Sequence, residues 1–460
     1  MPTYLSIFFC KFALLSSISL VSYCCTKTGE IFDIAKHGTF FAAQALLKCN
    51  KPKRAAELRI PKNNASMRKI FITTLLLLLG AVCAESQRHY TVVLSLDGYR
   101  WDYAKWHNTP FMDMMASKGV DSGLIPSYPS KTFPNHYTLA TGLYPDHHGI
   151  IANDFYDSTT GDSFSLSDAK QKNDAKYYGG EPIWNTAKRQ GLKTAAFYWP
   201  ASDVCVGGCY PDTYYAYDSL PRLTMTQRLD GVIGQLSLPT DKRPDLIMCY
   251  LEEPDATGHN FGPQSKHTRK MVEHVDSLLM SFYNKLRKLS VANDVNLIVL
   301  SDHGMTWVAK GNNVPIGHLL KKEWTKKIEG SIPANIYVES GCQDSVCMAL
   351  QSLPHATVWK KDNIPARFHY GTNSRVGDVV VNPDLGYLIQ DEEAAAGGAH
   401  GFDNGMNDMH ALFRAIGPDF KHIEMPHFAN VDVYALLCHL LGIKESANDG
   451  NISEISDMLR

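Results

Sequence analysis

The chain has 460 residues, of which 44% are hydrophobic and 20% are charged, and its formal net charge is −2. These proportions are those of an ordinary globular protein, and the length suits one large domain or two to three small ones. A charge so close to zero gives no basic surface for nucleic acid or an anionic membrane, so we expect no nucleic-acid-binding module.

The N-terminal region has the pattern of a targeting segment that begins at an internal methionine. Met67 opens a short basic stretch, Ile70–Val82 is apolar, and Ala84 completes a V-x-A cleavage pattern. This layout is typical of a secretory signal peptide and is too short for a comfortable membrane span. We therefore interpret 1–66 as an upstream extension of the gene model, 67–84 as the signal peptide and 85–460 as one secreted domain. Alternatively, the first 66 residues are genuine and the apolar stretch belongs to a type II signal anchor; we expect no other stable membrane span.

The cysteines suggest an oxidising compartment. Six of the eleven follow residue 84, and an even number in an exported chain permits disulfides. Two pairs are close enough in sequence for local loops, Cys205 with Cys209 and Cys342 with Cys347. The N-I-S triplet at 451–453 is a glycosylation sequon, so we expect a glycoprotein.

Beyond residue 85 the hydrophobic pattern alternates between strands and helices. The predicted elements, in chain order, are a strand at 91–96, helices at 110–118, 133–141 and 181–190, strands at 194–199 and 246–251, a helix at 264–289, a strand at 295–300, a hairpin formed by 376–381 and 386–390, and a helix at 431–441. This alternation predicts an α/β fold with a doubly wound, mostly parallel central sheet flanked by helices. No linker rich in Pro, Gly or Ser divides it, so we expect a single domain.

Three of the predicted strands are followed by carboxylates. Asp97, Asp255 and Asp302 come after the first, third and fourth strands, and His259 and His303 lie close behind two of them. Short, continuous apolar runs of this kind are typical of buried parallel strands, whose carboxyl ends form the usual site of an open α/β sheet. The side chains can therefore meet at one edge, where oxygen and nitrogen ligands suit a pair of divalent metal ions.

A further histidine and a hydroxyl group can complete such a site. The segment PDATGHNFGP predicts a loop that aims Asp255 and His259 at one ion, and His400 lies between glycines that permit close backbone approach. Thr132 precedes Pro134 at a predicted helix start, where unsatisfied N–H groups favour phosphate. Each motif alone is weak: an Asp-x-x-x-His pattern is common, and an isolated Thr-x-Pro such as that of Thr132 is more often a simple N-cap.

Five segments together resemble the ectonucleotide pyrophosphatase/phosphodiesterase family, which belongs to the alkaline phosphatase superfamily. They are LSLDGYRWDY (94–103), PSKTFPNHYTLATGLYPDHHGI (129–150), EPDATGHNFGP (253–263), SDHGM (301–305) and GAHGFDN (398–404). They occur in the family's order, and the resemblance runs from about residue 91 to 442. It implies that the domain at 85–460 is a phosphodiesterase catalytic domain with an alkaline phosphatase-like fold.

The resemblance also implies a site with two zinc ions. One ion would be bound by Asp255, His259 and His400. The other would be bound by Asp97, Asp302, His303 and the Thr132 oxygen. Thr132 would be the nucleophile that forms a threonine-phosphoryl intermediate, and Asn153 would donate a hydrogen bond to a phosphoryl oxygen.

For the substrate, the resemblance implies extracellular nucleotides or dinucleotides, with nucleoside 5′-monophosphate as product. Phe133 and Tyr217 match positions that sandwich a nucleobase, whereas Gln171 replaces a lysine that contacts the base in some members, although Lys170 and Lys172 are adjacent. The choline-lipid branch uses serine as nucleophile, so a threonine favours nucleotides. The alternatives are a phospholipase-type diesterase acting on lysophospholipid or choline esters, and a non-catalytic secreted binding module. We expect a monomer that resembles the small members of the family.

Overall fold

A nine-stranded mixed sheet forms the centre of the computed structural model, which describes residues 88–460. These residues belong to one compact unit. The interpretations of 1–66 as an extension and of 67–84 as a signal peptide lie outside the described residues. Among the described residues, no helix is long and apolar enough to cross a lipid bilayer.

The strands are listed here in chain order. They are β1 (Tyr90–Leu96), β2 (Val120–Ile125), β3 (Asp154–Asp157), β4 (Asp162–Ser165), β5 (Thr194–Phe197), β6 (Thr213–Tyr215), β7 (Leu246–Leu251), β8 (Val295–Leu300), β9 (Thr306–Val308), β10 (Asn313–Val314), β11 (Thr325–Glu329), β12 (Ala334–Val338), β13 (Ala356–Lys360), β14 (Val379–Pro383), β15 (Leu388–Ile389), β16 (Gly397–Ala399), β17 (Ala411–Ile416), β18 (Ile423–Glu424) and β19 (Phe428–Ala429).

The α-helices lie between these strands. They are α1 (Tyr103–Trp106), α2 (Pro110–Lys118), α3 (Thr132–Thr141), α4 (Pro145–His148), α5 (Ala169–Lys172), α6 (Ile183–Arg189), α7 (Met225–Leu236), α8 (Asp255–Phe261), α9 (Lys266–Leu286), α10 (Gln343–Leu350) and α11 (Asp432–Leu441).

The central sheet has the strand order β18-β2-β17-β8-β1-β7-β5-β6, with β19 paired to β2. Strands β8, β1, β7, β5 and β6 are parallel to one another, and only β17 runs against its neighbours. The predicted doubly wound, mostly parallel sheet is therefore confirmed.

Successive residues of β1 pack on opposite faces of this sheet. Val92 and Leu94 belong to the core that includes side chains of α2, α7 and α9, whereas Val93 belongs to the core that includes side chains of α3, α6 and α11. Because both faces are covered by helices, every residue of β1, β7 and β8 is buried. This explains why these strands read as continuous apolar runs in the sequence.

A smaller antiparallel sheet has the order β11-β12-β14-β13, and α10 packs against it. The pairs β3–β4, β9–β16 and β10–β15 form two-stranded sheets. The hairpin predicted at 376–381 and 386–390 is wrong, because β14 pairs with β12 and β13 whereas β15 pairs with β10. A local turn signal shows that two strands follow each other but not which distant strands they pair with.

The loop predicted for PDATGHNFGP is also wrong, since Asp255–Phe261 is helix α8. The helix packs directly on β16: a Cβ atom on Gly398 would lie 2.4 Å from the carbonyl oxygen of Gly258. Glycine at this contact lets the helix and the strand meet backbone to backbone. Tertiary packing therefore stabilises a short helix that its turn-forming residues do not predict.

The six cysteines of the described residues are free thiols in the structure. Cys249 and Cys438 are buried, and the other four are partly exposed. The local pairings of Cys205 with Cys209 and of Cys342 with Cys347 are therefore absent from it, and the disulfides remain an expectation from the sequence alone.

Candidate metal centre

The order of the central strands brings the three predicted carboxylates to one edge of the sheet. Strand β1 lies between β8 and β7, with Ser95 in register with Leu300 and Leu96 in register with Leu251. The chain then continues past the strand ends to Asp97, Asp302 and Asp255. These side chains lie where an open α/β sheet places its ligands.

The first group of ligand atoms comes from Asp97, Asp302 and His303, whose ligand atoms lie within 4.8 Å of one another. Nε2 of His303 is 3.4 Å from Oδ1 of Asp97 and 3.1 Å from Oδ2 of Asp302. The Thr132 hydroxyl oxygen lies 3.2 Å from the same Nε2. The four residues predicted to share one ion are therefore together.

The second group comes from Asp255, His259 and His400. Oδ1 of Asp255 lies 3.5 Å from Nε2 of His259 and 3.7 Å from Nε2 of His400. The rings of His400 and His303 are stacked with centroids 3.5 Å apart, so the two groups adjoin. All the predicted metal-ligating residues thus form one cluster.

Each of the three imidazoles is oriented by a backbone carbonyl. Nδ1 of His259 contacts the carbonyl oxygen of Gly398, and Nδ1 of His400 contacts that of Ser130, each at 2.8 Å. In His303 the partner is the carbonyl oxygen of Gly304, at 2.9 Å. Because a carbonyl only accepts, Nδ1 carries the proton and Nε2 keeps a lone pair that faces the cluster, as metal-binding histidines require.

Three carboxylate oxygens in the cluster are buried without a hydrogen-bond partner: Oδ1 of Asp97, Oδ1 of Asp255 and Oδ2 of Asp302. A buried unsatisfied acceptor is costly, and a cation bound among these atoms would satisfy all three. Two adjacent sets of carboxylate oxygens and imidazole nitrogens match the ligands of zinc in proteins. The residues present therefore fit a pair of metal ions.

The electrostatics of the cluster support the same conclusion. Burial and the nearby carboxylates of Asp302 and Asp255 raise the pKa of Asp97 well above its ordinary value, and burial with Asp302 raises that of Asp255. Burial lowers the pKa of His303 to about 4, and burial with His303 lowers the pKa of His400. These two imidazoles are therefore neutral, and the crowded carboxylates repel one another, an arrangement that favours binding of a cation.

The outer residues of the cluster fix its carboxylates. The Tyr250 hydroxyl donates to Oδ2 of Asp97 at 2.6 Å, and the Gly98 backbone N–H donates to Oδ1 of Asp302 at 3.2 Å. Burial alone would raise the pKa of Asp302, but the imidazoles of His303 and His136 hold it below its ordinary value.

Sequence reasoning missed His136, which is fully buried beneath Thr132. Its Nδ1 donates to the Thr132 carbonyl oxygen at 2.9 Å and lies 3.3 Å from Oδ2 of Asp302, and its Nε2 lies 2.8 Å from the Ser95 hydroxyl. The available signal was the spacing of Thr132 and His136, which places both on one face of a helix.

Thr132 is the first residue of α3, and Lys131 occupies the N-cap position. The alternative that Thr132 is a simple N-cap is therefore wrong, because its hydroxyl contacts His303 instead of capping the helix. Asn153 lies beside it: its Oδ1 accepts a hydrogen bond from the Phe133 backbone N–H at 3.1 Å. Asn153 lines the same cavity as Thr132, and its amide nitrogen remains available as a donor.

A cavity of about 460 Å³ opens over the cluster. The predicted site residues that line it are Asp97, Thr132, Asn153, Tyr217, Asp255, His259 and His400.

The two aromatic residues predicted to sandwich a base differ in position. Phe133 is fully buried and its ring lies edge-on to that of Tyr217, with centroids 5.5 Å apart, so only Tyr217 lines the cavity. Nζ of Lys172 lies 5.0 Å from the centre of the Tyr217 ring and makes an ion pair with Asp218. Lys172 is buried, and so is the side-chain oxygen of Gln171.

A comparison with protein families gives one match that covers most of the chain. The model of the family described as Type I phosphodiesterase / nucleotide pyrophosphatase matches residues 91–403. The chain belongs to this family. The resemblance to the ectonucleotide pyrophosphatases/phosphodiesterases is confirmed.

Curated relatives are about one-third identical to this chain over the aligned region. Human ectonucleotide pyrophosphatase/phosphodiesterase family member 1 is 35% identical in an alignment of 391 residues that covers 80% of this chain and 42% of that protein. Venom phosphodiesterase CdcPDE of Crotalus durissus collilineatus is 35% identical in an alignment of 388 residues that covers 80% of this chain and 46% of that protein. The chain thus spans less than half the length of these relatives.

Solved structures show the same fold over their full length. Murine ectonucleotide pyrophosphatase/phosphodiesterase 5 matches with a TM-score of 0.76 and 35% identity, covering 81% of this chain and 100% of that one. A second structure of the murine protein, described as inactive and in complex with AMP, matches equally well.

Proposed function

We propose that the protein hydrolyses phosphodiester and pyrophosphate bonds of extracellular nucleotides or dinucleotides and releases nucleoside 5′-monophosphate. The observation that carries this proposal is that three unsatisfied carboxylate oxygens, three imidazole nitrogens and the Thr132 hydroxyl form one cluster beneath a cavity. The names of the relatives and the AMP complex of the murine protein support it.

We assign two zinc ions to the cluster. Asp255, His259 and His400 would hold one ion. Asp97, Asp302, His303 and the Thr132 oxygen would hold the other. When bound, the ions would lower the pKa of the nucleophile and of the attacking water and would neutralise charge on the phosphoryl group.

Thr132 acts as the nucleophile in this proposal. Its Oγ1 forms a bond to the phosphorus while the bond from phosphorus to the leaving-group oxygen breaks, which gives a threonine-phosphoryl intermediate. The proton of the Thr132 hydroxyl passes to the leaving-group oxygen. A water then attacks the phosphorus, the bond to Oγ1 breaks, and the hydroxyl of Thr132 is restored with a proton from that water. The hydrogen bond from Nδ1 of His136 to the Thr132 carbonyl oxygen holds the first turn of α3 in place for both steps.

Asn153 stabilises the charge that develops on the phosphoryl oxygens. Its side-chain oxygen is fixed by the Phe133 N–H, so its amide nitrogen is preorganised to donate into the cavity. A preorganised donor of this kind accelerates phosphoryl transfer because it does not have to reorient during the reaction. Tyr217 would provide the aromatic surface for the base, and the buried Phe133 would support the Tyr217 ring from behind.

We also propose that the protein is a secreted monomer, with a type II membrane anchor as the alternative. The relatives that are named venom phosphodiesterases support secretion. N-terminal sequencing of the protein recovered from membranes tests this alternative. If the N-terminal segment is retained, the result favours the anchor.

The function is tested by a panel of diesters on purified protein after chelation and with metal added back. We expect the nitrophenyl ester of thymidine 5′-monophosphate to be hydrolysed only after zinc is restored, and far faster than nitrophenyl phosphorylcholine. A preference for the choline ester would show a phospholipase-type enzyme. Zinc binding without turnover of either ester would show a binding module.

A further inference from the structure

One arginine in the cavity makes no side-chain hydrogen bond with the described residues. Arg222 lines the cavity together with Thr132 and Tyr217, and 39% of its side chain is exposed. Among the described residues its one ion pair is with Glu252, where Nε lies 3.8 Å from Oε1, which is beyond hydrogen-bond reach. The five N–H donors of its guanidinium are therefore available to a ligand.

Glu252 does not neutralise Arg222, because another arginine already occupies its carboxylate. The buried Arg228 donates to both oxygens of Glu252, at 2.6 and 3.2 Å. A bidentate pair of this kind is stronger than a contact at 3.8 Å. Arg222 is therefore a cation that faces the cavity without a strong partner of its own.

The backbone beside Arg222 is fixed although its side chain is free. The Leu223 N–H donates to the Tyr198 hydroxyl at 2.9 Å, and the Leu223 carbonyl accepts from Nε of Arg228 at 3.0 Å. The Arg222 guanidinium carbon lies 5.7 Å from the centre of the Tyr198 ring and 5.8 Å from that of Tyr217. The guanidinium therefore lies next to the ring on which the base would stack.

We propose that Arg222 contacts the edge of the nucleobase and gives the protein a preference for guanine nucleotides, an inference that rests on the proposed function. Guanine presents O6 and N7 as adjacent acceptors, which a guanidinium binds bidentately, whereas adenine places a donor beside N7 and thymine offers one carbonyl on this edge. Glu252 lines the cavity beside Arg222, and the carboxylate lone pairs that Arg228 does not use can accept from the N1–H next to O6.

The test compares Arg222→Gln with Arg287→Gln, a matched change of an exposed arginine at the end of α9. The substrates are the nitrophenyl esters of GMP and TMP, which have no distal phosphate, and the triphosphates GTP, ATP and UTP. We expect wild-type protein to prefer the guanine compounds in both series. Arg222→Gln lowers the guanine-to-thymine ratio of kcat/KM by roughly tenfold, the scale of one bidentate base contact, and Arg287→Gln leaves the ratio unchanged.

An unchanged ratio in Arg222→Gln overturns the inference. An equal loss for all three triphosphates with no effect on the nitrophenyl esters also overturns it, because Arg222 would then bind distal phosphates. Calorimetric titration with GMP and TMP separates this inference from the proposed function. If no diester is hydrolysed but GMP binds more tightly than TMP in an Arg222-dependent way, the base contact stands and the hydrolase proposal fails.

Discussion

The hydroxyl oxygen of Thr132 lies 3.2 Å from Nε2 of His303, a nitrogen that also approaches the carboxylates of Asp97 and Asp302. One helix start and two strand ends therefore meet at a single imidazole. The proposed nucleophile and the proposed ligands of one ion lie within the same small volume, so substitutions are needed to separate the role of the Thr132 hydroxyl from that of the carboxylates.

Thr132→Ala removes the proposed nucleophile without enlarging the side chain. We expect kcat to fall by roughly three orders of magnitude or more, because an activated nucleophile has no substitute in the site. Thr132→Ser keeps the hydroxyl and should retain a measurable fraction of the rate. Circular dichroism and zinc content, measured on both variants, check that the fold and the ions remain; a near-wild-type rate for Thr132→Ala would falsify the assignment.

Asp302→Asn replaces a buried carboxylate by a neutral amide. We expect one of two bound zinc ions to be lost, with affinity reduced by more than the roughly 10–100-fold that changes outside the ligand shell produce. The measurement is metal content after dialysis against a weak chelator. Asp276→Asn is a matched control, because Asp276 is equally buried but accepts from the backbone N–H groups of Phe111 and Met112. Two tightly held ions in Asp302→Asn would contradict its role as a ligand.

His136 is a positioning residue whose two nitrogens have different partners, so two amide substitutions test it. Asn places its amide nitrogen near the position of Nδ1, which donates to the Thr132 carbonyl, and Gln places it near that of Nε2. We expect His136→Asn to retain more activity than His136→Gln, which should lose about 10–100-fold in kcat with little change in KM. Equal losses in the two variants would show that His136 only fills space.

His148 gives the folded protein a dependence on pH that is independent of the metal cluster. It is fully buried, its Nδ1 accepts from the Ile150 N–H at 3.2 Å and its Nε2 lies 3.1 Å from the Thr138 hydroxyl oxygen. Burial lowers the pKa of His148 to about 3. Since the unfolded chain titrates near pH 6.5, it binds the proton first, and the free energy of unfolding falls as the pH drops from about 6.5 toward 3.

His148→Asn removes this contribution while leaving an acceptor for Ile150. We expect the variant to be less stable than wild type at pH 7.5, and the difference in unfolding free energy to shrink by about 1.4 kcal/mol on going to pH 5.5. Urea unfolding at the two pH values measures both. A difference that does not change with pH would show that His148 is not kept neutral by its burial.

The sequence predicted those parts of the site that depend on strand ends. Asp97 and Asp302 follow strands that are buried on both faces, and such strands read as unbroken apolar runs whose carboxyl ends must share one edge. The bounds of β7 and β8 agree with the prediction for the same reason.

The parts that the sequence did not predict depend on contacts between distant segments. Helix α8 forms because it packs on β16, and the partners of β14 lie far from it along the chain. Arg222 gives no signal in the sequence, since its position beside Tyr217 is set by hydrogen bonds to Leu223. The burial of Phe133, proposed to contact a base, likewise depends on how α3 packs.

The backbone-to-backbone contact between α8 and β16 has a consequence for the geometry of the proposed metal site. His259 lies one residue after Gly258, and His400 lies two residues after Gly398, so each imidazole is tied to one side of that contact. The separation of the two backbone segments that carry these histidines is therefore set by main-chain atoms that cannot be compressed. An alanine at Gly398 would place its Cβ 2.4 Å from the Gly258 carbonyl oxygen, so it would force the helix and the strand apart and move the two histidine backbones away from each other.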